Sequence, residues 1–358
     1  MKINKIELVN FRNYKNYEFC PNSKLNIITG TNGIGKTNLV EGIYFLNLAR
    51  GFKNKKDSDL VNENSNEFIL TAEIEGSSST NKLSVYYNKS KNEKKIFVNN
   101  KQITKLMDLN KYINTLLFVP SMSEMFKNSP QDRRDYFNLC ISKVSDKYFD
   151  SLKQYKNLLK ERNLVLKEEK VDLELLNSIT KQLIPLSKII VSYRNTYVER
   201  LNSVICSINE RISNKNKKME LIYLPVVKLN HEFENKLLEL YKNSLEKDIK
   251  TQNTSIGVHK EDFLMNLDGK DISIFGSQAE NRIAVVSLVL SSYFILKQDV
   301  DKPIVILDDV LSELDETNKE NLIKLTNELS QVFITSTETI HKEYEKKITE
   351  DNLLWKKM

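Results

Sequence analysis

The sequence predicts an α/β fold in which a largely parallel sheet is interrupted by a helical arm. Three observations carry that expectation: a complete phosphate-loop pattern at Gly30–Thr37, a wholly apolar segment ending in Asp308 and Asp309, and a glycine-free helical stretch between them. In chain order, Met1-Lys2-Ile3-Asn4-Lys5-Ile6-Glu7 alternates polar and apolar residues as a half-buried strand does. Leu25, Ile27 and Ile28 then mark a buried strand, and Leu39, Val40, Ile43 and Leu46 recur at helical spacing.

The loop between them reads Gly30-Thr31-Asn32-Gly33-Ile34-Gly35-Lys36-Thr37, a full match to G-x-x-x-x-G-K-[ST] in its strand–loop–helix context. Glycines let successive backbone N–H groups turn toward phosphate oxygens, and the start of the following helix favours anions. Lys36 is placed to reach the β- and γ-phosphates, and the Thr37 hydroxyl to hold Mg²⁺. The motif implies a nucleoside triphosphate, with Gly30 through Asn38 forming its cradle.

Downstream, Ile304-Val305-Ile306-Leu307 reads as a strand buried on both faces of a parallel sheet. Asp308 at its carboxyl end is suited to hold Mg²⁺ opposite Thr37, and Asp309 to orient or activate the attacking water. A helix is expected to begin near Glu316.

Positions 36 and 308 are much further apart than one βα unit requires, so something is inserted. From Pro130 to Lys250 glycine is absent. Tyr148, Leu152, Tyr155 and Leu159 form one apolar stripe; Leu176, Ile179, Leu183, Leu186, Ile190, Tyr193, Tyr197, Leu201, Val204, Ile208 and Ile212 form another. They predict two long antiparallel helices whose seam is core, with shorter helices at the base. Pro185 predicts a kink or a late helix start. Next, Gly276-Ser277 feeds a helix over Ile283–Leu296, a second potential anion site.

Composition bounds the class. The chain has 358 residues, 40% hydrophobic and 28% charged, as expected of two domains or one with an insertion. No window approaches 18 consecutive apolar residues, which argues against a membrane helix. Cys20, Cys140 and Cys206 are scattered without C-x-x-C spacing, which points to a reducing cytoplasm. A net charge of +6 permits a polyanionic partner.

The order of these features resembles an ABC-type ATPase head split by an arm, and specifically the RecF family of DNA repair and recombination proteins. Leu8-Val9-Asn10-Phe11-Arg12-Asn13-Tyr14 resembles that family's opening strand. Gly30 to Tyr44 is close to its phosphate loop and helix, and Ser129 to Phe137 resembles the segment that leads into its arm. Gly257-Val258-His259-Lys260-Glu261-Asp262-Phe263 and Leu307 to Asp315 are similar to its later motifs. The resemblance implies an α/β, ABC-type P-loop ATPase head with a helical arm domain inserted between the two nucleotide motifs. Residues 1–124 and 251–358 are then the head, and 125–250 the arm.

What it further implies is a slow, DNA-stimulated ATPase using ATP and Mg²⁺. Two copies close around two nucleotides on double-stranded or gapped DNA, with recombination mediator proteins as partners and no membrane. Lys36, Asp308 and Asp309 are the catalytic candidates. Ser277 serves the nucleotide of a second copy, and Arg50, Lys53, Lys55 and Lys56 are DNA-contact candidates. Two departures stand out. The family's Ser-x-Gly-Gln signature is here Ser277-Gln278-Ala279-Glu280, and two acidic residues expected after Pro120 are Ser121 and Met122. Ala279 adds a methyl, and Glu280 a negative charge, where close approach to phosphate is required. The alternatives are thus a degenerate relative that binds ATP and DNA with little or no hydrolysis, and, less favoured, another SMC-like ATPase.

Overall fold

The computed structural model describes residues 1–52, 56–77, 79–296, 301–337 and 345–347. In chain order it begins with strands β1 (Lys2–Phe11), β2 (Tyr14–Phe19) and β3 (Leu25–Thr29), then helix α1 (Lys36–Leu48). Strands β4 (Glu67–Glu75), β5 (Thr80–Asn88), β6 (Glu93–Val98), β7 (Lys101–Gln102) and β8 (Thr115–Phe118) follow. Then come α2 (Pro130–Ser142), α3 (Asp146–Val165), α4 (Leu173–Asn202), α5 (Ile205–Ser213) and β9 (Met219–Leu224). Next are α6 (Phe233–Asn243), α7 (Leu245–Thr251), β10 (Asp262–Leu267), β11 (Lys270–Asp271), α8 (Ile272–Phe275) and α9 (Gln278–Leu296). Strand β12 (Ile304–Leu307), α10 (Glu316–Thr326), β13 (Val332–Ser336) and β14 (Glu345–Lys347) close the described chain.

The chain divides into two compact units: Met1–Ser123 with Ser207–Asn216 and Arg282–Met358, and Glu124–Cys206 with Lys217–Asn281. The first holds a six-stranded antiparallel sheet, β2-β1-β4-β5-β6-β7, and a five-stranded parallel sheet, β14-β3-β13-β12-β8. The predicted N-terminal strand is β1. Its alternation slips between Ile3 and Lys5, where the register with β4 shifts, so that Ile3, Ile6, Leu8 and Phe11 all reach the core. Every residue of β3 and β12 is buried, as an apolar strand covered on both faces must be. Helix α1 carries apolar residues around most of its circumference and shares one core with both sheets. Helix α9 is long and apolar enough to cross a membrane by composition, yet it is mostly buried within the fold.

The second unit contains the arm seam. Arg162 of α3 meets Thr180 of α4, whereas Tyr148 meets Arg194, so the two helices run antiparallel as expected. Ser145 and Asp172 cap them, accepting hydrogen bonds from the N–H groups of Tyr148 and Leu175. Helix α4 passes through Pro185 without a late start. That residue is exposed, so water can take the carbonyl left unpaired by its missing N–H.

Two findings correct the sequence reading. The stripe ending at Ile212 is not one helix, because α4 stops at Asn202 and α5 begins at Ile205. Residues 251–281 group with the arm rather than the head, because β10 pairs along its whole length with β9, from Asp262↔Leu224 to Leu267↔Met219. Residues 207–216 group with the head instead.

Buried charges organise this unit. The Arg194 guanidinium donates to Glu261 (2.6 Å), the Val258 carbonyl (2.9 Å) and Asn138 (3.0 Å), while Tyr223 also donates to Glu261. Arg162 donates to Asp248 (2.8 Å) and Thr254 (2.7 Å) and lies over the Tyr241 ring. Removing one partner of such a pair leaves an uncompensated buried charge, at a cost of about 3–5 kcal/mol. Gly257, at φ 134°, is required here: a Cβ would lie 2.3 Å from the Tyr155 hydroxyl.

His259 sits beside it. Its Nε2 lies 3.0 Å from the Thr254 carbonyl, which can only accept, so Nε2 carries the proton and Nδ1 accepts from the Tyr155 hydroxyl at 2.7 Å. Burial pushes the imidazole pKa from 6.5 down to about 4. The unfolded chain therefore binds a proton that the folded one refuses. The stabilising contribution is complete above the unfolded value of 6.5 and is lost as the pH falls through about 4. Thermal unfolding followed between pH 7 and 4 is expected to show this fall, and His259→Gln to flatten it. Equal pH profiles for the two proteins would contradict the assignment.

Candidate nucleotide site

The site lies at the carboxyl ends of parallel strands, the position where open α/β sheets bind ligands. The phosphate loop follows β3, Asp308 and Asp309 follow β12, Pro120 and Ser121 follow β8, and Thr335 stands near the end of β13. Around them is a cavity of about 560 Å³, lined among others by Asn32, Lys36, Thr37, Ser121, Asp308 and Asp309. A triphosphate fits its size and chemistry.

Within the loop, Gly35 is forced. It caps α1 at φ 114°, and a Cβ there would come within 2.7 Å of the Asn13 amide. Asn13 donates to the Ile34 carbonyl (3.1 Å), Tyr14 to the Gly35 carbonyl (3.1 Å), and Asn38 to Asn13 (2.8 Å). The turn between β1 and β2 thus braces the loop from behind. Lys36 folds back to the carbonyls of Gly30 (2.7 Å) and Thr31 (2.9 Å). Burial lowers its pKa, and the nearby Asp309 and Asp308 partly offset that. A phosphate at this point would add counter-charge to the ammonium.

The two sequence motifs meet at one oxygen. Asp308 Oδ1 accepts from the Thr37 hydroxyl at 2.9 Å, across 271 residues of chain, and from the Thr335 hydroxyl at 2.7 Å. The same Thr335 oxygen accepts the Asp309 N–H at 2.9 Å. A hydroxyl beside a carboxylate is a hard oxygen donor set suited to Mg²⁺. Asp309 is left-handed, at φ 48°, and its carboxylate accepts from Ser312 at 3.1 Å.

Ser277 belongs to the other compact unit. It forms a capping box with Glu280, which accepts from both the N–H and the hydroxyl of Ser277 at 3.0 Å. Glu280 is also paired with Lys217 at 2.7 Å, and that contact, with the Ser277 N–H, pushes its pKa down to about 2. The acidic departure is therefore compensated locally, which the sequence reading did not anticipate. Arg50 and Lys56 are exposed, while Lys53 and Lys55 lie outside the described residues.

Sequence reasoning missed Asn13 and Thr335 as parts of the site. The signal for Thr335 was present in the apolar, β-branched run Val332-Phe333-Ile334, which ends at its hydroxyl.

The family model described as the RecF/RecN/SMC N terminal domain matches residues 2–350. The DNA replication and repair protein RecF of Clostridium botulinum is 34% identical over 356 residues, 97% of this chain and 96% of its own length. Its counterpart from Clostridioides difficile is 32% identical, covering 99% and 96%. A solved structure of the recombination mediator protein RecF-ATP in the RecFOR pathway superposes with a TM-score of 0.85 at 32% identity, covering 94% of this chain and 93% of that one. A Pyrococcus furiosus Smc head domain superposes at 0.57 with 16% identity, a likeness of fold.

Lys36→Ala is expected to weaken Mg·ATP binding by at least tenfold, or about 1.4 kcal/mol. Fluorescence anisotropy with a labelled ATP analogue reads the dissociation constant, and an unchanged value would contradict the site assignment.

Proposed function

Given that the chain belongs to the RecF/RecN/SMC N-terminal domain family, we propose that it is an ATP-dependent DNA-binding protein of replication and recombinational repair. In this reading two copies close on double-stranded or gapped DNA in the cytoplasm and cooperate with recombination mediators. One observation carries it: Thr37 Oγ1 and Asp308 Oδ1, from motifs at opposite ends of the chain, lie 2.9 Å apart inside a cavity framed by the phosphate loop.

In this mechanism the phosphate-loop N–H groups bind the phosphates, and Lys36 exchanges the carbonyls of Gly30 and Thr31 for β- and γ-oxygens. Thr37 and Asp308 would hold Mg²⁺, which when bound neutralises charge on those oxygens. Asp309 takes the proton of the water that adds to the γ-phosphorus as the bond to the bridging oxygen breaks, leaving ADP and phosphate. Ser277 at the start of α9 meets the γ-phosphate bound by the second copy. Hydrolysis then reopens the pair, so turnover times DNA release. Arg50 and Lys56, with Lys53 and Lys55, contact DNA phosphates without reading bases, which makes binding strongly salt-dependent.

A second reading, ATP and DNA binding with little or no hydrolysis, is favoured by two observations. The Ser277 hydroxyl is already engaged by Glu280, and Ser121 brings no carboxylate to the cavity.

Anisotropy of labelled gapped duplex, read beside phosphate release, tests both. Mg·ATP is expected to raise DNA affinity about tenfold, equivalent to about 1.4 kcal/mol. Asp309→Asn should prolong the ATP-bound DNA complex. Nucleotide-independent DNA binding would contradict the proposal; ATP-stimulated binding without phosphate release would select the second reading.

A further inference from the structure

Arg282 is an almost fully buried guanidinium in the nucleotide-binding unit, with a side chain only 1% exposed. It lies in the part of α9 that belongs to this unit. Its fork closes on the segment that follows β12. Nε donates to the Val310 carbonyl (3.2 Å), Nη1 to the Glu313 carboxylate (2.6 Å), and Nη2 to the Ser312 hydroxyl (3.2 Å) and the Asp309 carbonyl. Beneath it lies the ring of Phe118, 5.6 Å from the guanidinium carbon. The Phe118 carbonyl in turn accepts the Asp308 N–H at 2.9 Å.

The segment held in this way needs holding. Asp309 is a non-glycine residue at φ 48°, a conformation that persists only where surrounding contacts enforce it. Its carboxylate is aimed by Ser312, whose hydroxyl lies within reach of both the Asp309 carbonyl and Oδ2. Arg282 therefore fixes the backbone of Asp309 directly and its side chain through Ser312. A lysine cannot replace it, since one ammonium lacks the planar spread of donors that reaches four acceptors at once.

We propose that Arg282 is a positioning residue for Asp309, setting the carboxylate that orients the attacking water. This rests on the reading of Asp309 as the residue that handles that water. It separates two functions that the phosphate loop alone leaves joined: affinity for ATP belongs to Lys36, Thr37 and Asp308, and rate belongs to the turn that Arg282 clamps.

The test compares full-length wild type with Arg282→Lys, Arg282→Ala and Ser312→Ala. Affinity for Mg·ATPγS and steady-state phosphate release are measured for each. Arg282→Lys is expected to keep its dissociation constant within about twofold while kcat falls at least tenfold, which corresponds to about 1.4 kcal/mol of barrier. Added guanidinium ion should restore turnover to Arg282→Ala but not to Ser312→Ala. Ser312 is exposed, so its substitution reports on the turn even if the Arg282 variants fail to fold. A lowered kcat at unchanged affinity in Ser312→Ala supports the clamp. Wild-type kcat in Arg282→Lys, or affinity falling in step with kcat, overturns the assignment of Arg282 alone. A wild type that releases no phosphate overturns the ATPase reading and takes this assignment with it.

Discussion

The nucleotide site depends on a single carboxylate oxygen. Asp308 Oδ1 takes hydroxyls from Thr37 and Thr335 together, so the first turn of α1, the residue that follows β12 and the end of β13 share one point. The parallel register of those strands, Ile334↔Ile27 and Leu307↔Ile334, brings their ends level, and the buried β12 has no freedom to slide. A phosphate loop by itself is a cradle for an anion. Joined to Asp308 it becomes a place where a hard cation and a triphosphate can be held at once. The tilt of Asp309 out of the strand, into left-handed backbone, then separates the carboxylate suited to metal from the one suited to water.

Behind the loop a second set of contacts does comparable work with neutral groups. Asn13 and Tyr14 donate to the carbonyls of Ile34 and Gly35, and Asn38 holds Asn13 in place. In the other unit the corresponding device is ionic. Glu261 receives Arg194 and Tyr223, and through Arg194 connects α2, α3, α4, β9 and the segment before β10. The stretch Gly257–Phe263, which resembles a family motif, is thus explained by packing: Gly257 leaves room for two tyrosine hydroxyls, and His259 and Glu261 are buried partners. Motif resemblance in this stretch marks the framework of the arm rather than a reactive centre.

What was legible in the sequence were features with strong local periodicity or forced chemistry. The phosphate loop, the apolar β12 and the antiparallel seam of α3 and α4 were readable because each follows from steric rules within a few residues. What was not legible depended on distant pairing. Strand β9 is short and its partner β10 lies beyond two helices, so the small sheet and the grouping of residues 251–281 could not be read from local pattern. Glu280 was read as a charge facing phosphate because only its neighbours in sequence were considered. Lys217, which pairs with it, belongs to a different segment of the chain. The clamp formed by Arg282 was missed for the same reason, since two of its four acceptors are main-chain carbonyls that sequence does not display.

On the proposed function, one chain suffices to bind ATP and a second copy is needed to complete the site. Sedimentation velocity of the purified protein with and without Mg·ATP tests this most directly. A 41.7 kDa monomer that becomes a dimer only with Mg·ATP, and not with Mg·ADP, is the predicted result. A sedimentation coefficient unchanged by nucleotide, or a dimer already complete without it, would contradict the account.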